Sequence, residues 1–160
     1  MQSLLNIRPA RPGEESLVLD LIRELAVYER LADAVEATPE VLAEALHGDD
    51  AVAECLLADW DGETVGFALF FRNFSTFVGR PGLYLEDLYV RPSHRGRGVG
   101  RSLLLTLVDI ARERDYGRME WSVLDWNQSA IDFYRSLGAE PMDDWTVYRL
   151  DHQALNALAE

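Results

Sequence analysis

Apolar residues recur along this chain with two different spacings, and where the spacing changes the elements change with it. Ser3 to Arg8 reads as a short strand, broken by Arg11-Pro12-Gly13. From Glu14 to Arg30 the positions Val18, Leu21, Ile22, Leu25 and Tyr28 fall at helical spacing, which predicts an amphipathic helix with Tyr28 on its buried stripe and Glu29 at the border. Thr38-Pro39 offers a cap and a first-position proline for a second helix, running to Leu46 and stopping at Gly48. Two apolar runs, Val52 to Trp60 and Thr64 to Arg72, flank Asp61-Gly62, a strong hairpin signal. After a loop over Asn73 to Gly82, LYLEDLYV predicts a further strand, and Arg95 to Gly100 leads into a helix with its stripe at Leu103, Leu104, Leu107, Val108 and Ala111. Residues 118–125 read as another strand, Asn127 caps a helix ending at Gly138, and a last strand is expected around Trp145 to Leu150. Strands and helices mixed in this order predict an α/β fold around one sheet.

Composition narrows the setting. A chain of 160 residues buries roughly 70% of its unfolded surface in one core, so a single domain over residues 1–160 is expected. No apolar run approaches the length of a membrane span and the first residues lack a leader pattern, so a cytoplasmic protein with no membrane partner is expected. Cys55 is the only cysteine, which excludes an intrachain disulfide and reads as a buried thiol. His47, His94 and His152 are scattered without ligand spacing, and no metal is assigned. All 15 basic residues are arginine, so the lysine of a Walker-type phosphate loop is excluded.

Charge is unevenly distributed. Residues 13–63 hold fifteen Asp or Glu against two arginines, whereas residues 91–118 hold seven arginines. An enzyme handling an anionic ligand at one place and a cationic one at another fits this split, as does an ordinary solvated acidic face. A net charge of −13 opposes binding to a nucleic-acid backbone.

The arginine-rich segment HRGRGVGR (94–101) lies between a strand and a helix. Unpaired amides and the helix dipole make such a helix start a place for an anion. Glycine lets the backbone approach a phosphate, and Arg95, Arg97 and Arg101 can add charge-assisted contacts. Gly96, Gly98 and Gly100 alternate at every second residue, so the dinucleotide pattern G-x-G-x-x-G is not met.

Arg95-Gly96-Arg97-Gly98-Val99-Gly100 resembles the R/Q-x-x-G-x-G/A signature of the GNAT-superfamily acyltransferases, and the order of elements is similar to theirs over nearly the whole chain. LAVYER (25–30), STFVGRPGLYLEDLYV (75–90) and VLDWNQSAIDFYRSLGA (123–139) resemble the diamine and polyamine acetyltransferases, especially their thialysine-acetylating branch. The resemblance implies a mixed, mostly antiparallel central sheet with helices on both faces, a homodimer, and acetyl transfer from acetyl-CoA to a primary amine by direct attack. It implies that the pantetheine arm adds to the strand at Leu88, Tyr89 and Val90, that the diphosphate sits on the loop from Gly96 to Arg101, and that Asn127 and Ser129 touch the cofactor arm.

Such a reaction sets a physical demand. An alkyl amine of pKa about 10.4 is neutral in roughly one molecule in 2,500 at pH 7, a deficit of about 4.6 kcal/mol. The resemblance gives Glu86 as the group that takes the proton, directly or through a water, and Tyr134 as the acid that protonates the leaving thiolate. Regular alternation would send Glu86 and Asp87 to opposite faces, unless the strand bulge that the family carries lies here. Tyr134 is seven residues after Asn127, on the same side of the helix, where it could also be an ordinary core tyrosine. For the acceptor the resemblance points to Tyr28, Glu29, Glu86, Glu120 and Trp121, a set that could hold an ammonium by charge and cation–π attraction. The family's acidic segment after the last helix is shortened in EPMDDWTV, which puts roles for Asp143 and Asp144, and long polyamines as substrates, in doubt. A protein or peptide amine acetyltransferase and a non-catalytic acetyl-CoA-binding module are the alternatives.

Overall fold

A computed structural model describes residues 3–159. The chain divides into two compact units, one ending at Ser122 and one beginning at Val123.

The first unit is built on a five-stranded sheet in sequential order: β1 (Leu5–Pro9), β2 (Glu54–Trp60), β3 (Glu63–Ser75), β4 (Arg80–Val90) and β5 (Met119–Trp121). The first four pair antiparallel, and β5 joins β4 in parallel. Between β1 and β2 come α1 (Glu15–Tyr28) and α2 (Pro39–His47), and between β4 and β5 comes α3 (Val99–Glu113). Turn chemistry explains the hairpins. Asp61 at φ 50 and Gly62 at φ 83 both occupy the left-handed region, as a two-residue turn that matches strand twist requires. The β3–β4 hairpin is longer than its Gly/Pro-containing sequence suggested, because pairing continues to Ser75↔Arg80 before residues 76–79 turn the chain.

Strand alternation sorts the core into two layers. Cys55, Leu57, Phe67, Leu69 and Tyr89 face one side, where they pack with Val18, Leu21 and Leu25 of α1 and Leu42 of α2. The alternate positions Leu56, Ala58, Ala68, Phe70 and Leu85 are buried on the other side. There α3, which contacts β1 through β4, buries Val99, Leu103, Leu104, Leu107 and Ala111. The observed architecture is therefore the expected α/β one, a mixed, mostly antiparallel sheet with helices on both faces. Thr38 caps α2 by accepting a hydrogen bond from the Val41 amide at 3.2 Å, with Pro39 at the first helical position.

The second unit contains α4 (Gln128–Ser136) and α5 (His152–Leu158). Asn127 caps α4 and Asp151 caps α5, each side chain accepting from an amide three residues on. The expected strand over Trp145 to Leu150 is not formed: these residues have no regular structure, and Trp145, Val147, Tyr148 and Leu150 are exposed. The described residues of this unit include no strand with which a β-prone segment could form a ladder. The strand expected over residues 118–125 shortens likewise to Met119–Trp121, the stretch that finds β4 beside it.

Candidate active site

The chemistry-bearing residues of the first unit gather around the C-terminal half of β4. In the register of β4 on β3, Leu85 pairs with Phe70 and Asp87 pairs with Leu69, so Glu86 has no partner and forms a bulge. The bulge resets the alternation. Leu85 stays in the α3-side core, Glu86 is exposed, and Asp87 turns to the α1 side, two residues before Tyr89. On the opposite edge β4 pairs with β5 only from Leu83 to Leu85, leaving Glu86 to Val90 without a strand beside that edge among the described residues. An extended ligand arm could add there through backbone hydrogen bonds.

Beyond β4, a single 3-10 turn (Pro92–His94) leads into the glycine loop. Gly96 at φ 76 and Gly98 at φ 80 both adopt left-handed backbone, and Gly98 is the N-cap of α3 with no side-chain cap. Nothing lies within 4 Å of where a Cβ would stand on either residue, so backbone conformation, not crowding, calls for glycine. The first turn of α3 carries no acidic residue. Uncapped amides with the positive end of the dipole make a fit for a diphosphate, such as that of coenzyme A. The arginines of the loop are placed differently from one another. The Arg97 guanidinium lies over the Trp60 ring at 5.4 Å, and the His94 ring meets the same ring at a tilt of 57°, centroids 5.9 Å apart. Arg95 instead reaches Tyr28, at 4.7 Å from the ring centroid, and Tyr89, at 5.5 Å.

Carboxylates dominate the electrostatics beside β4. Asp87 is half-buried, and its carboxyl is pushed up to about 7, first by desolvation and then by the negative charges of Glu86 and Glu29. Among the described residues no hydrogen-bond donor or cation is recorded on it. Burial also raises Glu29, which follows the last residue of α1. Tyr89 is raised mainly by desolvation, and its hydroxyl donates to Glu24 at 3.4 Å. Cys55 lies buried in the same layer, its thiol pushed up to about 12, mainly by desolvation. Glu120 pairs in register with Tyr84 and forms an ion pair with Arg118 at 3.2 Å, and Trp121 pairs with Leu85.

The first unit thus brings Tyr28, Glu29, Glu86, Tyr89 and Arg95 into one neighbourhood, with Leu88 and Val90 on the same strand. Asn127, Ser129 and Tyr134 belong to the second unit. There Asn127 is buried, and its Oδ1 accepts from the Ala130 amide and the Ser129 hydroxyl, both at 3.3 Å. Tyr134 is half-buried beside Phe133, ring centroids 5.6 Å apart. Asp143 and Asp144 sit in an exposed turn. Two features escaped the sequence reading. Asp87 was visible only as one of two adjacent carboxylates, because its burial depends on the bulge. The Arg91–Glu24 ion pair at 3.0 Å, linking α1 to the end of β4, has no local sequence signal, since the partners are 67 residues apart.

Comparisons with known proteins agree with this geometry. Residues 18–139 match the Acetyltransferase (GNAT) family. The chain is 36% identical over 164 residues to the thialysine N-epsilon-acetyltransferase of Bos taurus, covering 96% of each chain. It is 30% identical over 197 residues to an L-ornithine N5-acetyltransferase of Arabidopsis thaliana, covering 95% of this chain and 86% of that one. Among solved structures, an integron cassette protein from the mobile metagenome of V. cholerae superposes with a TM-score of 0.81 at 26% identity, over 99% of both chains. With a glycine-bearing helix start, a bulged β4 and a family match across most of its length, the chain belongs to the GNAT acetyltransferase family and is an acyl-transferring enzyme.

Proposed function

We propose that this enzyme moves an acetyl group from acetyl-CoA to a primary amine of a small molecule, a lysine analogue such as thialysine or a diamine or polyamine, by direct attack within one domain spanning residues 1–160. The observation that carries the reading is the β4 bulge, which leaves Glu86 exposed and turns Asp87 to the α1 side of a strand that leads on to an uncapped, glycine-bearing helix start. Leu88, Tyr89 and Val90 would line the pantetheine arm, and the backbone of Gly96, Gly98, Val99 and Gly100 with Arg97 and Arg101 would hold the diphosphate. Asn127 and Ser129 complete the cofactor contacts in this reading. Acetyl-CoA supplies the activated acyl group when bound. Glu29, Glu86 and Glu120 receive the ammonium end of the acceptor, and Tyr28 and Trp121 line the same site.

Within that arrangement Glu86 takes the amine proton, directly or through a water, and Tyr134 donates to the departing thiolate. The state of Asp87 favours a second assignment of the base. A half-buried carboxyl titrating near neutrality is better matched to accepting a proton at working pH than an exposed one. Direct attack is supported by Cys55, whose buried, largely protonated thiol is a poor candidate for an acyl-enzyme. The exposed side chains of Trp145, Val147, Tyr148 and Leu150 support a homodimer, and a monomer in sedimentation at micromolar concentration would remove that part. A cytoplasmic location, and partners that are neither nucleic acid nor membrane, complete the reading on the strength of composition and charge.

The test is release of free CoA from acetyl-CoA with a panel of lysine, thialysine, ornithine, diamines, spermidine and peptides. Small amines should turn over and peptides should not; efficient peptide turnover would favour the protein-acetylating alternative. In Tyr134→Phe turnover should drop by about 10²-fold or more with CoA affinity retained. The larger loss between Glu86→Gln and Asp87→Asn identifies the proton acceptor, and unchanged turnover in both would remove the carboxylate base.

A further inference from the structure

Arg95 opens the glycine loop, where a phosphate contact is the natural expectation for its side chain. Its guanidinium is engaged elsewhere. Nε donates to the Val90 carbonyl at 2.8 Å, and the group lies over the rings of Tyr28 at 4.7 Å and Tyr89 at 5.5 Å. One ring comes from the last turn of α1 and the other from β4, on the face to which Asp87 turns. A second arginine secures the same junction. Arg91 binds both carboxylate oxygens of Glu24 at 3.0–3.2 Å and the Thr64 carbonyl at 2.9 Å, while the Tyr89 hydroxyl also donates to Glu24. Glu24 and Tyr28 are four residues apart and so share one face of α1. Arg91 and Arg95 therefore grip successive turns of that face, and after the left-handed Gly96 the side chain of Arg97 departs to Trp60.

We propose that Arg95 is a positioning residue for the acceptor amine: it holds Tyr28 of α1 against Tyr89 of β4 and so fixes one wall of the acidic acceptor site, while the diphosphate is left to the loop amides, Arg97 and Arg101. This rests on the acetyltransferase reading above. It has a consequence for recognition. A cation already seated on the Tyr28 ring competes with a substrate ammonium for that ring, so binding of the ammonium falls to Glu29, Glu86 and Asp87.

Steady-state kinetics with the best amine of the panel, and calorimetry with CoA, test this on the wild-type enzyme, Arg95→Gln, Arg95→Lys, Tyr28→Leu and the double variant Arg95→Gln/Tyr28→Leu. Arg95→Gln should raise the amine KM by about tenfold, lower kcat less, and leave the Kd for CoA within about twofold. Tyr28→Leu should raise the same KM, and the double variant should be little worse than the larger single effect, because both break one contact. Arg95→Lys keeps a cation over the rings but loses the planar fork, so it should recover part of the amine KM. If Arg95→Gln does not fold, Arg95→Lys carries the test alone, with an expected amine KM about threefold raised and CoA affinity unmoved. A tenfold loss of CoA affinity with the amine KM unchanged would return Arg95 to the cofactor and overturn the proposal. Multiplicative effects in the double variant would overturn it too. Wild-type enzyme that takes up no CoA, or turns over no amine, overturns the acetyltransferase reading and this inference with it.

Discussion

Asp87 places a pH-dependent cost on the fold. Its ordinary value is 3.8, and in the folded chain it titrates near 7. The folded state therefore binds this proton more tightly than the unfolded one, so stability falls as pH rises from the ordinary carboxylate range to about 7 and stays reduced above it. Replacing the carboxylate by an amide should relieve that cost. Asp87→Asn is expected to raise the thermal midpoint at pH 8 by about 2–4 °C, a gain of about 1 kcal/mol, and to make no difference at pH 4. If Asp87 is the base, kcat/KM should climb with pH to a break near 7 in the parent enzyme and lose that break in the variant. A midpoint that falls in Asp87→Asn would mean that the carboxylate stabilises the fold instead. This residue was half legible in the sequence. Two adjacent carboxylates on a strand were plain, but which one turns to the α1 side depends on one unpaired residue in a ladder, and the bulge was known only through the family resemblance.

Among the elements, the start of α3 should be the most sensitive to small substitutions. Gly98 holds φ 80 as the N-cap with open space where a side chain would stand. Gly98→Ala therefore meets strain and no clash: about 1–2 kcal/mol of backbone strain, read as a thermal midpoint lowered by about 3–6 °C. A side chain at this N-cap should also hinder the approach of a diphosphate to the α3 amides, so CoA affinity should fall by about tenfold or more. Full CoA affinity in a folded Gly98→Ala protein would place the diphosphate elsewhere. This helix, the β2–β3 hairpin and α1 were readable because their signals are local: a spacing, a turn dipeptide, a cap. Residues 145–150 were misread because a strand is not a local object. WTVYRL has the composition of one, but its unit supplies no strand to pair with, and the short α5 beyond it was not predicted, its local signal being the Asp151 cap.

At the scale of the whole molecule, the net charge is −13 in a protein proposed to take an ammonium-bearing acceptor. Acidic surface raises the local concentration of an ammonium-bearing substrate, and salt screens that attraction. Between 50 and 300 mM salt the amine KM should rise by about two- to fivefold with kcat nearly constant; a salt-independent KM would confine recognition to the contacts themselves. The fold class was legible twice over, from the mixture of periods and from the family resemblance, whereas the long-range ties of Arg91 and Arg95 were not legible at all.

Sealing Cys55 inside the sheet has a chemical consequence when it is set beside the complete absence of lysine. An activated thioester acylates neutral amines and thiolates that meet it in solution. Here the lone thiol is kept protonated and out of reach, and every cationic side chain is a guanidinium that does not shed its proton. The side chains of this catalyst therefore offer its own donor almost nothing to acylate, so it can stand charged in a dilute supply of acceptor without marking itself.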